Sequence, residues 1–115
     1  MVSYSDFQKL DLRVAKVLEA ERVVGSEKLI RLKIEVGEDN CKSPPEKMVK
    51  QIVAGIGKTY SPEQLIGREI VVVNNLEPRS LMGLESQGML LAASDGGEPV
   101  LLMPDKDVSV GSQVK

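Results

Sequence analysis

The chain has 115 residues, the length of one domain, with 15 basic and 17 acidic side chains and a formal charge of −2. That balance excludes nucleic-acid binding through bulk charge, so any phosphate contact must come from a local basic patch. One cysteine and no histidine exclude an internal disulfide and a cysteine-cluster metal site, and remove the commonest general base near neutral pH.

Hydrophobic residues make up 42% of the chain, yet it has one Phe, two Tyr and no Trp, so the core must be built from Val, Ile and Leu. Such side chains suit a small closed sheet. In chain order, Ser3 to Lys9 is expected to form one helical turn. From Asp11 a strand begins whose period of two slips near Ala15–Lys16, the sign of a β-bulge in a long bent strand. Val24-Gly25-Ser26-Glu27 reads as a turn. Ile30, Leu32, Ile34 and Val36 then alternate with Arg31, Lys33 and Glu35, giving a strand with one buried face.

Gly37 to Glu46 reads as a loop, because Asp-Asn and Pro-Pro are breakers and the apolar period vanishes. Met48 to Ala54 is the next strand, closed by Gly55 and Gly57. Ser61-Pro62-Glu63-Gln64 is a helix start, with an N-cap serine, proline at the first position and a glutamine able to reach back; Gly67 ends the helix. Ile70–Val73 and Met89–Ala93 are further strands. Asp95-Gly96-Gly97 is a hairpin turn before Val100–Met103, and a tail follows from Pro104. Many short strands with one helix between strands 3 and 4 predict an all-β, five-stranded OB-fold Greek-key barrel with a C-terminal extension of short strands. The expected organisation is a single domain, 1–115, with the barrel over about 11–93.

Gly55-Ile56-Gly57-Lys58-Thr59 invites comparison with a phosphate-binding loop, but Ile52 stands where that motif needs glycine, and the next helix opens too late. No catalytic constellation emerges. Ser86 has no histidine to activate it, and Cys41 lies in a polar loop without a base. No metal ligand set, catalytic residue or cofactor is expected. Residues 1–10 are polar, and the apolar runs fall far short of the ~20 residues a membrane helix needs. The expectation is a cytoplasmic chain without membrane contact.

The positive signal is the stretch Asn74 to Met89, NNLEPRSLMGLESQGM, read as a loop between two apolar strands. Pro78, Gly83 and Gly88 are ordinary loop punctuation. The concentration of Asn, Arg, Ser, Gln and Met is more than punctuation requires: these groups bond to phosphates and bases or pack on them.

Asp11-Leu-Arg-Val14, Gly25 to Leu32, Glu35 to Glu38, Ile52 to Ile56, Pro62 to Arg68 and the run Val73 to Ala93 together resemble the tRNA-binding-domain family of OB folds. That family occurs at the C-terminus of methionyl-tRNA synthetases, as free-standing tRNA-binding proteins, and in endothelial-monocyte-activating cytokine precursors. Gly25 to Leu32 most resembles the synthetase branch. With its own Met1 and no synthetase body, the chain resembles a free-standing β subunit of that enzyme.

The resemblance implies a non-catalytic module that binds the outer side of tRNA through shape and backbone. Carried over by position, it assigns Arg79 to phosphate, Asn75 and Ser86 to hydrogen bonding, and Met89 to apolar contact, with Lys33 a weaker fifth. The family usually has lysine where Glu77 and Ser80 stand, which thins the patch. Lys42, Lys50 and Lys58, with Lys47, lie in the most basic stretch of the chain and are weaker candidates for RNA contact. The resemblance also implies a homodimer joined through residues 94–115, with Val100–Met103 and Val108–Val110 as the apolar surface, and the catalytic methionyl-tRNA synthetase chain as a further partner. The alternative is a protein-interaction or chaperone-like dimer of the same fold with weakened RNA binding.

Overall fold

The computed structural model describes residues 1–115. Its elements are α1 (Tyr4–Gln8), β1 (Leu12–Arg22), β2 (Ile30–Asp39), β3 (Glu46–Ala54), α2 (Pro62–Leu65), β4 (Glu69–Val73), β5 (Arg79–Leu81), β6 (Leu84–Ser86), β7 (Met89–Leu90), β8 (Ala92–Asp95) and β9 (Glu98–Leu101). The five-stranded antiparallel sheet runs β3-β2-β1-β4-β7, with α2 between β3 and β4 as the sequence predicts. The sheet is curled and OB-like.

The length of β1 lets it serve two neighbours. Leu12–Lys16 pair with β4, and Lys16–Arg22 pair with β2. The register slips between Val17 and Glu19, a little beyond the expected site at Ala15–Lys16. The burial phase still breaks early, with Val14 and Ala15 both buried. Val14 lies beyond the last β1–β2 pair, Lys16 with Glu35, and its backbone is met there by the tail: its N–H donates to the Ser112 carbonyl at 2.9 Å, and Gly111 N–H donates to its carbonyl at 2.7 Å.

The core is aliphatic, as the composition requires. Ile30, Leu32, Ile34, Val36, Ile52 and Ile70 are essentially unexposed, each burial contributing ~1.5–3 kcal/mol relative to exposure. Leu65, the one buried residue of α2, joins them. Gln64 accepts from the Ser61 N–H at 2.9 Å, completing the predicted helix start. At the far edge the barrel closes through residues 86–87: Gln87 N–H donates to the Gln51 carbonyl at 2.8 Å, and the Gln87 side chain accepts from Gln51 N–H at 2.9 Å.

Three expectations change. The loop Gly37–Glu46 is shorter than expected, because β2 runs on through Asp39 and β3 starts at Glu46, with Glu38 paired to Lys47 and Asp39 to Glu46; polar strand ends carry no apolar period. Met89–Ala93 splits at Leu91, β7 pairing with β4 and β8 with β9. The stretch read as a loop between Asn74 and Met89 contains the β5–β6 hairpin. The Asp95-Gly96-Gly97 turn forms as expected, with both glycines at positive φ (58° and 89°) and Asp95 opposite Glu98.

Candidate functional site

The segment after β4 is pinned before it turns. Asn75 accepts from the Asp11 N–H at 2.8 Å and donates to the Lys9 carbonyl at 2.7 Å. Asn74 donates to the Asp11 carboxylate at 2.9 Å, and Lys50 donates to the Asn74 carbonyl at 2.7 Å. Burial alone would raise the Asp11 carboxyl, but the hydrogen bonds from Arg13 and Asn74 prevail and hold it below the usual carboxylate range.

The hairpin that follows turns through Met82 (φ 49°) and Gly83 (φ 79°), the backbone of a two-residue I′ turn. Asparagine or glycine normally takes the first position. A methionine there costs about 1–2 kcal/mol. The hairpin is fastened to β3: Gln51 Nε2 donates to the Glu85 carbonyl at 2.9 Å, and Ser86 Oγ accepts from the Val53 N–H at 3.0 Å. By register Arg79, Leu81, Leu84 and Ser86 share one hairpin face, while Ser80 and Glu85 share the other.

The structure separates the expected site residues into three groups. Arg79 is exposed and has no ion pair or hydrogen bond, whereas Arg13, Arg22, Arg31 and Arg68 each engage a partner within the fold. Lys33 is exposed on β2, with its ammonium 3.6 Å from Glu19. Lys58 is exposed and unpaired. Arg79 and Lys58 are available to an anion, and Lys33 shares its charge with Glu19.

A second group is engaged within the fold. Ser86 is 1% exposed, and its hydroxyl accepts from Val53 while donating to the Gly88 carbonyl at 3.0 Å. It holds the hairpin and does not face solvent. Asn75 is exposed, but its carboxamide already serves Asp11 and Lys9. Lys50 is half-buried, and burial, followed by repulsion from Arg13, lowers its ammonium below the usual lysine value. The third group is intermediate. Met89 is partly buried against the core opposite Val73, and Lys42 is paired to Glu46 at 2.9 Å. The basic stretch from Cys41 to Tyr60 is therefore not one patch: Lys42, Lys47 and Lys50 point to internal partners.

Between the hairpin and the first two strands lies a groove of about 510 Å³ that the sequence did not reveal. Val24, Arg31, Lys33, Gln51, Met82 and Leu84 line it. The Arg31 guanidinium is fixed by Glu21 at 2.7 Å, and this hydrogen bond lowers the Glu21 carboxyl below its usual range. The one available signal was two apolar residues in turns, Val24 and Met82, where no core period calls for them. No three Asp, Glu or Cys side chains converge as a metal site. No helix is long and apolar enough to cross a membrane.

A family model described as a putative tRNA binding domain matches residues 12–113. The methionine–tRNA ligase of Caldanaerobacter subterraneus subsp. tengcongensis is 54% identical over 113 residues, 98% of this chain and 16% of the ligase. That of Methanothrix thermoacetophila is 50% identical over 115 residues, 100% of this chain and 16% of the ligase. The chain thus spans 16% of the length of these curated relatives. A MetRS-related protein from Pyrococcus horikoshii superposes with a TM-score of 0.87 at 33% identity, covering 100% of this chain and 98% of that one. The chaperone CsaA from Bacillus anthracis str. Ames gives 0.82 at 34% identity, covering 100% and 99%.

Proposed function

This chain belongs to the tRNA-binding-domain family, and on that footing we propose that it binds tRNA without catalysing a reaction, as a β subunit that supplies tRNA affinity to methionyl-tRNA synthetase. The observation that carries the reading is Arg79. It is the one arginine left unengaged, and it stands on a hairpin fastened to β3 through Gln51 and Ser86. A planar, permanently charged group on a fixed mount is suited to a phosphate. Lys33 and Lys58 add charge, whereas Ser86, Asn75 and Lys50 position the binding segment. Glu77 and Ser80 leave the patch thin. A subunit role is supported by the solved MetRS-related chain, which this chain matches from end to end.

The reading includes a homodimer working in the cytoplasm. Val100, Leu102, Met103 and Val108 remain exposed, as do Tyr4 and Phe7 of α1. Leu101, expected among the dimer residues, is buried in the chain's own core. Two modest patches on one tRNA gain avidity through effective concentration.

Filter binding or gel shift with tRNA at two salt concentrations tests the reading. Binding should weaken with salt, and Arg79→Ala should weaken it alike for every tRNA while reducing the salt slope by about one. No binding at low salt, or binding without a salt slope, would overturn it. The second reading, a protein-interaction or chaperone-like dimer, is supported by the CsaA neighbours and the exposed apolar residues of α1. It predicts weakened tRNA binding, with Arg79→Ala making little difference to it.

A further inference from the structure

The groove beneath Met82 is apolar beside a rim of cations. Its two walls carry large apolar side chains left in water: Val24 is 95% exposed and Met82 58%. Met82 reaches across from the hairpin tip, its methyl carbon only 3.5 Å from where a Cβ on Gly25 would lie. It does so from a left-handed backbone that asparagine or glycine would occupy with less strain. A residue held at a cost, with its side chain spread over an open groove, points to a role for that side chain.

Resting on the tRNA reading, we infer that this groove accepts one unpaired nucleobase of the RNA. The base lies against the Met82 thioether and Val24, edged by the Arg31 guanidinium. Its size suits a small flat group, since clefts for such ligands run to roughly 300–1,000 Å³. Unpaired bases are recognised by stacking on flat or polarisable side chains and by hydrogen bonds at their edges. None of the chain's three aromatics lines the groove: Tyr4 and Phe7 are on α1, and the Tyr60 ring lies 5.6 Å from the Arg68 guanidinium carbon. A thioether is the remaining polarisable surface, and sulfur lies favourably against aromatic rings.

Charge decides between a base and an apolar peptide side chain as occupant. Arg31 is held in place by Glu21, which its own charge offsets. Arg22 and Lys33 also line the groove, Lys33 with its ammonium 3.6 Å from Glu19, so the lining carries three cations to one carboxylate, and Arg79 shares its hairpin face with the groove residue Leu84. A base brings a phosphate for these cations. A neutral apolar side chain brings nothing for them.

The test compares the wild-type chain with Met82→Asn, Met82→Leu and Val24→Ser, titrated with tRNA and with a blunt RNA duplex that has no unpaired base. Melting is recorded for each. Met82→Asn relieves the turn, so its melting temperature should equal or exceed the wild-type value. Its tRNA affinity should nevertheless fall roughly two- to ten-fold, the range of a sulfur–aromatic contact. The salt slope and the duplex affinity should be unchanged. Val24→Ser should behave likewise, and Met82→Leu, which keeps the apolar bulk but removes the sulfur, should lose affinity as well. Wild-type tRNA affinity in Met82→Asn, or an equal loss for duplex and tRNA, would overturn the nucleobase site and leave the tRNA reading standing. Failure of the wild type to bind tRNA at low salt would overturn both, and capture of an apolar peptide instead would assign the groove to protein.

Discussion

Ser86 and Arg79 face each other across two short strands and do opposite work. Ser86 is buried with its hydroxyl fully used, so Ser86→Ala strands the Val53 N–H and should cost about 1–3 kcal/mol in urea unfolding. The Arg79 side chain makes no ion pair or hydrogen bond in the fold, and its loss should be visible only when RNA is present. The sequence could list both residues but could not divide their roles, because Ser86 finds its partner 33 positions away. Asn75 was hidden in the same way by its bonds to residues 9 and 11. Asp11 gives the residue scale a pH signature. Its folded carboxyl titrates below the unfolded one, so its contribution to stability is present above the unfolded value, about 3.9, and is lost as pH falls through the folded value. The stability of Asp11→Asn should therefore decline less steeply below pH ~4 than that of the wild type, measured by denaturant midpoints across the acid limb.

At the scale of elements, legibility followed local pattern. The alternation from Ile30 to Val36, the Ser61-Pro62 helix start and the Asp95-Gly96-Gly97 turn each express a local preference, and each formed where expected. The β5–β6 hairpin was illegible because its strands are three residues long and its turn puts methionine where asparagine would signal it. The tail was illegible for a different reason. Residues 111–114 extend the sheet along the free edge of β1, with Arg13 bridged to Gln113 and Val114 N–H bonded to the Leu12 carbonyl at 2.9 Å. Gly111 makes this possible at φ 91°, where an added Cβ would lie 2.7 Å from the Gly37 Cα. Gly111→Ala should thus loosen the tail: hydrogen exchange at the Val14 amide should accelerate, with a stability loss of ~1–3 kcal/mol. Unchanged exchange at Val14 would show that the tail does not depend on this contact.

For the whole molecule, the net charge of −2 means that RNA affinity must be assembled from few cations, which gives the proposed dimer its importance. Light scattering at micromolar concentration should give twice the mass of one chain, and Leu102→Asp, on the exposed side of the extension, should return the monomer and weaken tRNA binding more than it weakens folding. A dimer unaffected by that substitution would move the interface elsewhere, α1 being another exposed apolar surface. The fold as a whole was legible because matching segments occurred in order along most of the chain, whereas the ligand groove depended on two turns meeting in space. The tail carries one more consequence. Because β1 meets residues 111–114 from the opposite end of the sequence, the first strand made during synthesis waits with a bare edge until nearly the whole domain has emerged. An unpaired edge is a template for other chains, and long-range pairing is slow to form. Crowding and aggregation during synthesis should therefore weigh most heavily on the interval before Gly111 appears, and the final few residues act as the guard that ends it.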